Sequence, residues 1–112
     1  DKIDNYDFDD VDLIKIDVEG HEEYVIEGAR NVIQRTKPIL IVEIEQRHLK
    51  KQIGEVFQSI LKLNYRGYFL ENGNLTSLNQ FNYDLHQKMY LNKVTSKKYI
   101  NNFIFVPNIN HR

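Results

Sequence analysis

Residues 13–22 read Leu-Ile-Lys-Ile-Asp-Val-Glu-Gly-His-Glu, and this stretch decides the fold class. Residues 11–18 form an apolar, largely β-branched run, which is typical of a strand buried on at least one face. The run delivers two carboxylates, Asp17 and Glu19, and breaks at Gly20 where a helical pattern begins. Both acids are therefore expected at the carboxyl end of a strand, which is the edge where open α/β sheets bind ligands.

The segment after this strand predicts an amphipathic helix. From Glu22 onward, apolar residues recur every three or four positions until Lys37-Pro38 ends the pattern. Gly28 lies inside this helix, and a close approach to the sheet would explain it. Residues 39–42 are a continuous apolar run, which predicts a strand buried on both faces of a parallel sheet, and Glu43 follows it.

The second half of the chain predicts a further helix and three short strands. The helix spans residues 48–63 and carries its apolar residues on one stripe. A strand at residues 68–70, the turn signal Glu71-Asn72-Gly73-Asn74 and a returning strand at 75–78 predict a hairpin. Residues 79–98 are polar and predict a long loop or short helical turns, and residues 102–107 predict a final strand. The strand-helix-strand-helix order is that of βαβ units in an α/β protein.

Composition excludes several function classes. At 112 residues the chain suits one modest domain, and its net charge of −1 gives no electrostatic reason for binding nucleic acid or a membrane surface. Cysteine is absent, which excludes disulfides and thiolate metal sites. No apolar run approaches the roughly 18 residues of a membrane span, so a cytoplasmic location is expected. Residues 1–10 predict a leading loop, and an initial Asp suggests part of a longer protein.

These patterns together resemble a known family. Val-Asp-Leu-Ile-Lys-Ile-Asp-Val-Glu-Gly-His-Glu at 11–22, Ile-Glu-Gly-Ala at 26–29 and Lys-Pro-Ile-Leu-Ile-Val-Glu at 37–43 resemble the central signature of the FkbM-type methyltransferases. Residues 102–107 resemble the last strand of that family. The resemblance implies a Rossmann-like class I fold that uses S-adenosylmethionine, held by a glycine-rich loop after the first of seven strands.

By this resemblance, residues 1–112 are a single partial methyltransferase domain. They would supply strands four to seven of the C-terminal half, in a mostly parallel sheet with helices and an antiparallel last strand. The five glycines form no G-x-G cluster after a strand, so the cofactor loop is expected to lie outside this chain.

The resemblance also implies roles for the acids at the strand ends. Asp17 matches the position beside the reactive methyl group, and Glu43 is its predicted catalytic partner on the neighbouring strand. The predicted cofactor contacts are Asp17, Val18 and Glu19, and the predicted substrate contacts are His21, Glu45 and His48. Helix capping is the alternative for Asp17 and Glu19, and a surface role is the alternative for the two histidines. Two carboxylates fall short of a Mg²⁺ ligand set, so no metal is predicted.

The expected function is transfer of a methyl group from S-adenosylmethionine to an oxygen of a sugar or small metabolite by the complete protein, with this fragment alone inactive. A noncatalytic α/β interaction domain is the alternative, in which an open sheet edge self-associates into a homodimer. A different cofactor-binding α/β enzyme would need a phosphate loop that this sequence does not contain.

Overall fold

A computed structural model describes residues 13–18 and 22–108, which form one sheet with helices on one side. The strands are β1 Leu13–Asp17, β2 Ile39–Glu43, β3 Tyr65–Glu71, β4 Asn74–Ser77 and β5 Asn102–Pro107. The helices are α1 Glu22–Thr36, α2 Ile53–Leu61 and α3 Tyr83–His86. Single 3₁₀ turns lie at Gln46–His48, Leu78–Gln80 and Lys88–Tyr90.

The strand order is β1-β2-β5-β3-β4, and it corrects the prediction of a mostly parallel sheet. Among the described strands only β1 and β2 pair in parallel, and the other three pairings are antiparallel. The last strand is antiparallel, as predicted, but it lies between β2 and β3. Strands β1, β2 and β3 therefore run in the same direction, while the inserted β5 makes the pairings on both its sides antiparallel.

Alternation along the strands gives the sheet two different faces. One face packs against α1 and α2 and contains the largest buried side chains, including Leu40, Phe69, Phe103 and Phe105. We call the other the open face, because its apolar residues, such as Ile41 and Ile104, are only half-buried. The prediction that residues 39–42 are buried on both faces is therefore wrong for the described structure.

The second helix starts later than its apolar stripe predicts. Instead of beginning at residue 48, α2 begins at Ile53, and residues 46–48 form a separate 3₁₀ turn. The Gln46 side chain holds this break, since its Oε1 accepts from the Ile53 N–H at 2.6 Å and its Nε2 donates to the Lys51 carbonyl at 2.8 Å. Gln46 thus satisfies one of the free N–H groups at the start of α2 from outside the helix.

The hairpin agrees with its turn signal, whereas the explanation offered for Gly28 fails. Asn72 and Gly73 have φ values of 53° and 80° and connect β3 to β4 in a two-residue turn, as an Asn-Gly pair favours. A Cβ atom at Gly28 would meet no heavy atom within 4 Å, so no close approach requires glycine there. The close approach occurs instead at Gly67, where a Cβ would lie 2.5 Å from Leu78 Cδ2.

Candidate functional site

Three strands end at one edge of the sheet, which we call the carboxyl edge, and each ends in an acid. Asp17 ends β1, Glu43 ends β2 and Glu71 ends β3. Asp17 and Glu43 are register partners, and Glu43 is in turn the partner of Asn102 at the start of β5. Register partners share a face and neighbouring strands lie about 5 Å apart, so Asp17, Glu43 and Asn102 form a polar row on the open face.

The predicted cofactor contacts are only partly described. Asp17 is exposed and Glu43 is half-buried, so the two carboxylates differ in their access to solvent. The Val18 side chain is fully buried in the core, and its N–H donates to the Glu43 carbonyl at 3.1 Å, which continues the β1–β2 ladder. Glu19 and His21 lie outside the described residues.

Glu45 and His48, predicted to bind substrate, lie beyond the end of β2. Glu45 is only 7% exposed, and its Oε1 accepts from the Tyr99 hydroxyl at 2.6 Å and from Arg47 Nε at 2.8 Å. His48 Nδ1 is 3.9 Å from Glu45 Oε2. The Glu45 carboxylate therefore links the turn after β2 to the segment before β5, and a ligand would have to compete with these partners.

Tyr99, Arg47 and His48 surround Glu45, and we call these four residues the Glu45 cluster. Its electrostatics favour the charged form of the Glu45 carboxylate. Burial alone would raise the pKa of Glu45, but hydrogen bonds from Tyr99 and Arg47, with the charges of Arg47 and His48, lower it below its ordinary value. Burial, followed by the hydrogen bond to Glu45, raises the pKa of Tyr99. Tyr99 therefore stays protonated and keeps donating throughout the physiological range.

Gln87 organises the carboxyl edge, although no pattern in the sequence distinguishes it. Its side chain is fully buried, and its Nε2 donates to the carbonyls of Ile44 at 3.0 Å and Ile100 at 2.8 Å. Its Oε1 accepts from the Gln46 N–H at 2.9 Å. One side chain thus connects the end of β2, the following turn and the approach to β5, and only tertiary contacts identify it.

His86 is a second buried polar residue for which the sequence suggests no role. Its ring lies 5.4 Å from that of Phe81, in a stacked arrangement, and 5.0 Å from that of Phe69. Nδ1 accepts from the Asn82 N–H at 2.9 Å, which assigns the proton of the neutral ring to Nε2. Nε2 then donates to Glu71 Oε2 at 2.8 Å, so His86 holds the carboxylate at the end of β3.

Two adjoining cavities lie at this edge. The larger, of about 540 Å³, has an apolar floor on the open face and a polar rim from the segment before β5; its lining includes Ile41, Leu70, Ile104, Ser96, Lys97 and Asn102. The smaller, of about 190 Å³, is lined by Glu71, Asn72, Tyr90, Lys97 and Lys98 among others. Asn102 belongs both to the polar row and to the lining of the larger cavity. Asp17 and Glu43, the two carboxylates of the row, are not part of that lining.

The described part of the chain offers neither a metal-binding cluster nor a membrane-spanning helix. No group of three or more His, Cys, Asp or Glu side chains in residues 13–18 and 22–108 could hold a metal ion. Over the same residues, none of the helices has both the length and the apolar character needed to cross a membrane.

Comparison with known proteins identifies the family of this chain. Residues 1–70 match the family described as "Methyltransferase FkbM domain", which covers more than half of the chain and all of β1, α1, β2, α2 and most of β3. No curated protein and no solved structure matches the sequence. The match contains β1 and β2, which bring Asp17 and Glu43 of the polar row together. On this evidence the chain belongs to the FkbM family of S-adenosylmethionine-dependent methyltransferases.

Proposed function

We propose that the chain is the C-terminal portion of a methyltransferase domain that transfers a methyl group from S-adenosylmethionine to an oxygen of a sugar or small metabolite. The observation that carries the proposal is the register of β1, β2 and β5. It aligns Asp17, Glu43 and Asn102 at the edge where α/β sheets bind ligands. Family membership supplies the reaction type, and the row supplies groups that can hold an acceptor.

The described residues include groups suited to bind the methyl acceptor, but they do not include the glycine turn that would bind S-adenosylmethionine. S-adenosylmethionine supplies an electrophilic methyl group on a sulfonium ion. Its binding in this class requires a glycine turn where the backbone approaches the ligand, but Gly28 and Gly54 lie within helices, Gly67 packs against Leu78, and Gly73 forms the hairpin turn. The described chain alone therefore does not fit the cofactor, and we propose that the missing part lies before residue 13.

The polar row provides oxygen atoms that can accept a hydrogen bond from the hydroxyl group to be methylated. Carboxylates such as Asp17 and Glu43 accept strongly from a hydroxyl, which holds its oxygen in one place and increases its electron density. Methyl transfer needs a nucleophile aligned with the methyl group, and positioning of this kind lowers barriers by up to about 7–11 kcal/mol in favourable cases. We propose that Asp17 orients the acceptor hydroxyl and takes its proton as the bond forms, while Glu43 supports that orientation.

The experiment is isothermal titration with S-adenosylhomocysteine of the 112-residue chain and of a version extended at its N-terminus by about 100 residues, the size of one typical domain. Binding by the extended protein alone supports the whole proposal. Binding by the 112-residue chain contradicts the assignment of the cofactor loop to a preceding segment, and binding by neither contradicts the methyltransferase function of this domain.

Variants of the extended protein then test the polar row. Asp17→Asn should lower kcat at least tenfold while the KM for the cofactor changes less, because the amide no longer takes a proton. Glu55→Gln is the matched control, since Glu55 is an exposed acid on α2 that lines neither of the two cavities. Equal losses in the two variants would refute a specific role for Asp17.

A noncatalytic, self-associating domain is the second candidate, and the open face favours it. Among the described strands β1 has a partner on one side only, and Leu13, Leu70 and Leu75 on the open face are 50%, 52% and 59% exposed. Sedimentation equilibrium of the 112-residue chain separates the candidates. A dimer that dissociates on dilution, together with no binding of S-adenosylhomocysteine by the extended protein, would favour this role over methyl transfer.

A further inference from the structure

We propose that Glu71, held in position by His86, binds a hydroxyl group of a neutral, sugar-like methyl acceptor in the smaller cavity. The proposal rests on the proposed function, because it concerns the acceptor of the same domain. Neither residue is among those that the sequence or the family match assigns to the site. Glu71 ends the third strand that points toward the carboxyl edge, and it is a cavity-lining acid there.

The Glu71 carboxylate is fixed, and it remains accessible. Its side chain is 42% exposed, and within the described residues its hydrogen bond is to His86 Nε2 through Oε2. His86 is itself fixed, because Asn82 N–H occupies Nδ1, Phe69 and Phe81 contact the ring, and Ile100 N–H donates to the His86 carbonyl at 2.9 Å. A carboxylate held in one orientation while still facing solvent loses little freedom when it binds a ligand.

Both nitrogens of His86 are engaged, and this defines its role. Nδ1 accepts a hydrogen bond and Nε2 donates one, so neither nitrogen is available to take a proton from a substrate. His86 is therefore a positioning residue that acts through Glu71.

The charges around the smaller cavity favour a neutral polyhydroxylated ligand. Glu71 opposes an anionic ligand, while Lys97 and Lys98 on the same lining oppose a cationic one. A hydroxyl both donates and accepts, so it can donate to Glu71 and accept from the lysine ammonium groups or from the Tyr90 hydroxyl. Neighbouring hydroxyls on a sugar ring match such an alternation of acceptors and donors.

The two cavities together suit the rest of such a ligand. The linings of the two cavities share Lys97 and Ile100, so the cavities adjoin at these residues, on either side of the edge where β5 begins. There Ile41 and Ile104 offer apolar surface to the C–H face of a ring, and Asn102 leads to the polar row. A ligand held at Glu71 therefore lies next to the cavity that contains Asn102, the nearest member of the polar row.

The test is an amide-detected NMR titration of the 112-residue chain, without cofactor, using a panel of neutral methyl glycosides of glucose, galactose, mannose and rhamnose. Concentrations extend to tens of millimolar, which would saturate even a site with a dissociation constant of about 1 mM. At least one glycoside should shift the amides of residues 71–73 and 97–102, and inorganic phosphate should not. No shift at these residues with any glycoside, or a stronger response to phosphate, would overturn the proposal.

Variants show which side chains bind the glycoside. Glu71→Gln should weaken glycoside binding about tenfold because it removes a charge-assisted hydrogen bond, and Tyr90→Phe should weaken it severalfold without disturbing Glu71. Glu55→Gln is the control and should bind within twofold of the parent protein. Unchanged binding in both Glu71→Gln and Tyr90→Phe would assign any glycoside binding to another site.

The positioning role of His86 has its own readout. Nitrogen NMR of the ring should show the neutral Nε2–H tautomer, which a purely space-filling histidine need not adopt. His86→Phe should weaken glycoside binding as much as Glu71→Gln, and His86→Gln, which retains an N–H donor, should recover part of it. The opposite tautomer, or full binding by a folded His86→Phe protein, would refute this role. Because these titrations omit the cofactor, their failure is distinct from failure to bind S-adenosylhomocysteine.

Discussion

Replacement of Gln87 by leucine should destabilise the carboxyl edge, because this one side chain makes three hydrogen bonds to the backbone there. Leucine has a similar size and fits a buried position, so the change removes hydrogen bonds with little loss of volume. Three backbone groups lose their partner: the carbonyls of Ile44 and Ile100 and the N–H of Gln46. All three lie where β2 ends, where the next turn begins and where the chain approaches β5.

The expected loss of stability follows from the three hydrogen bonds that Gln87→Leu removes. A hydrogen bond of this kind contributes about 1 kcal/mol net, and more when a buried group is left without a partner, so Gln87→Leu should cost about 3 kcal/mol or more. Domains are stable by about 0.05–0.15 kcal/mol per residue, or roughly 6–17 kcal/mol for a chain of this length. The variant should therefore remain folded but lose a fifth to a half of its stability.

Denaturation by guanidinium chloride, followed by circular dichroism, measures this loss. The control is Gln58→Leu, a chemically identical change at an exposed position of α2, which should alter the free energy of unfolding by less than about 0.5 kcal/mol. Hydrogen exchange should also show faster opening at the Gln46 amide in Gln87→Leu. A loss below about 1 kcal/mol, or one equal to that of the control, would show that Gln87 does not hold this edge together.

Three further predictions concern stability. Gly67→Ala should lower the free energy of unfolding by about 1–3 kcal/mol, because its Cβ would lie 2.5 Å from Leu78 Cδ2. Gly28→Ala should raise it by about 0.5–1 kcal/mol, because this helical position is open. Thermal melts of both variants test the two expectations. The folded-state pKa of Glu45 lies below its ordinary value of 4.5, so its contribution is complete above that value and is lost as the pH falls through the folded pKa. The slope of unfolding free energy against pH below about 4.5 should therefore be smaller in Glu45→Gln, and an unchanged slope would contradict the cluster described for this residue. Tyr65→Phe removes a buried hydrogen bond to the Pro38 carbonyl and should cost about 1 kcal/mol at neutral pH. Burial raises the pKa of Tyr65 from 10.0 to about 12, so its contribution to stability is complete below pH 10 and falls as the pH rises toward 12. Tyr65 and Tyr99 should both titrate late in a spectrophotometric titration of the tyrosines, and the variant should lose the group near 12 while it keeps that of Tyr99.

Local sequence patterns predicted most of the helix and strand boundaries well. Helix α1 ends one residue before Lys37-Pro38, the hairpin turns at Asn72-Gly73, and β5 spans the predicted residues 102–107. Each of these features depends on residues close together in the chain, such as a proline that cannot continue a helix or an Asn-Gly pair that accepts positive φ. The start of α2 was mispredicted because its boundary depends on the side chain of Gln46, seven residues before Ile53.

Long-range contacts were beyond the reach of those patterns. Gln87 contacts backbone groups 41 and 43 positions earlier in the chain, and His86 contacts Glu71 across 15 positions. Glutamine and histidine in a polar segment are most often surface residues, so composition indicated exposure for both. The pairing of Asp17 with Glu43 was accessible, because parallel neighbours in a βαβ unit bring their carboxyl ends to the same edge.

The sheet order that contradicted the prediction is also what brings the candidate acceptor site together. Because β5 runs antiparallel to its neighbours, its first residue, Asn102, lies at the carboxyl edge beside Glu43. A parallel β5 would instead place Pro107 there and carry the preceding segment to the opposite edge. The alternation along β3 puts Glu71 in phase with Phe69, on the helix-covered face, whereas Asp17 and Glu43 lie on the open face. A ligand that contacts all three acids must therefore cross the edge where β5 begins, which is where the two cavities share Lys97 and Ile100.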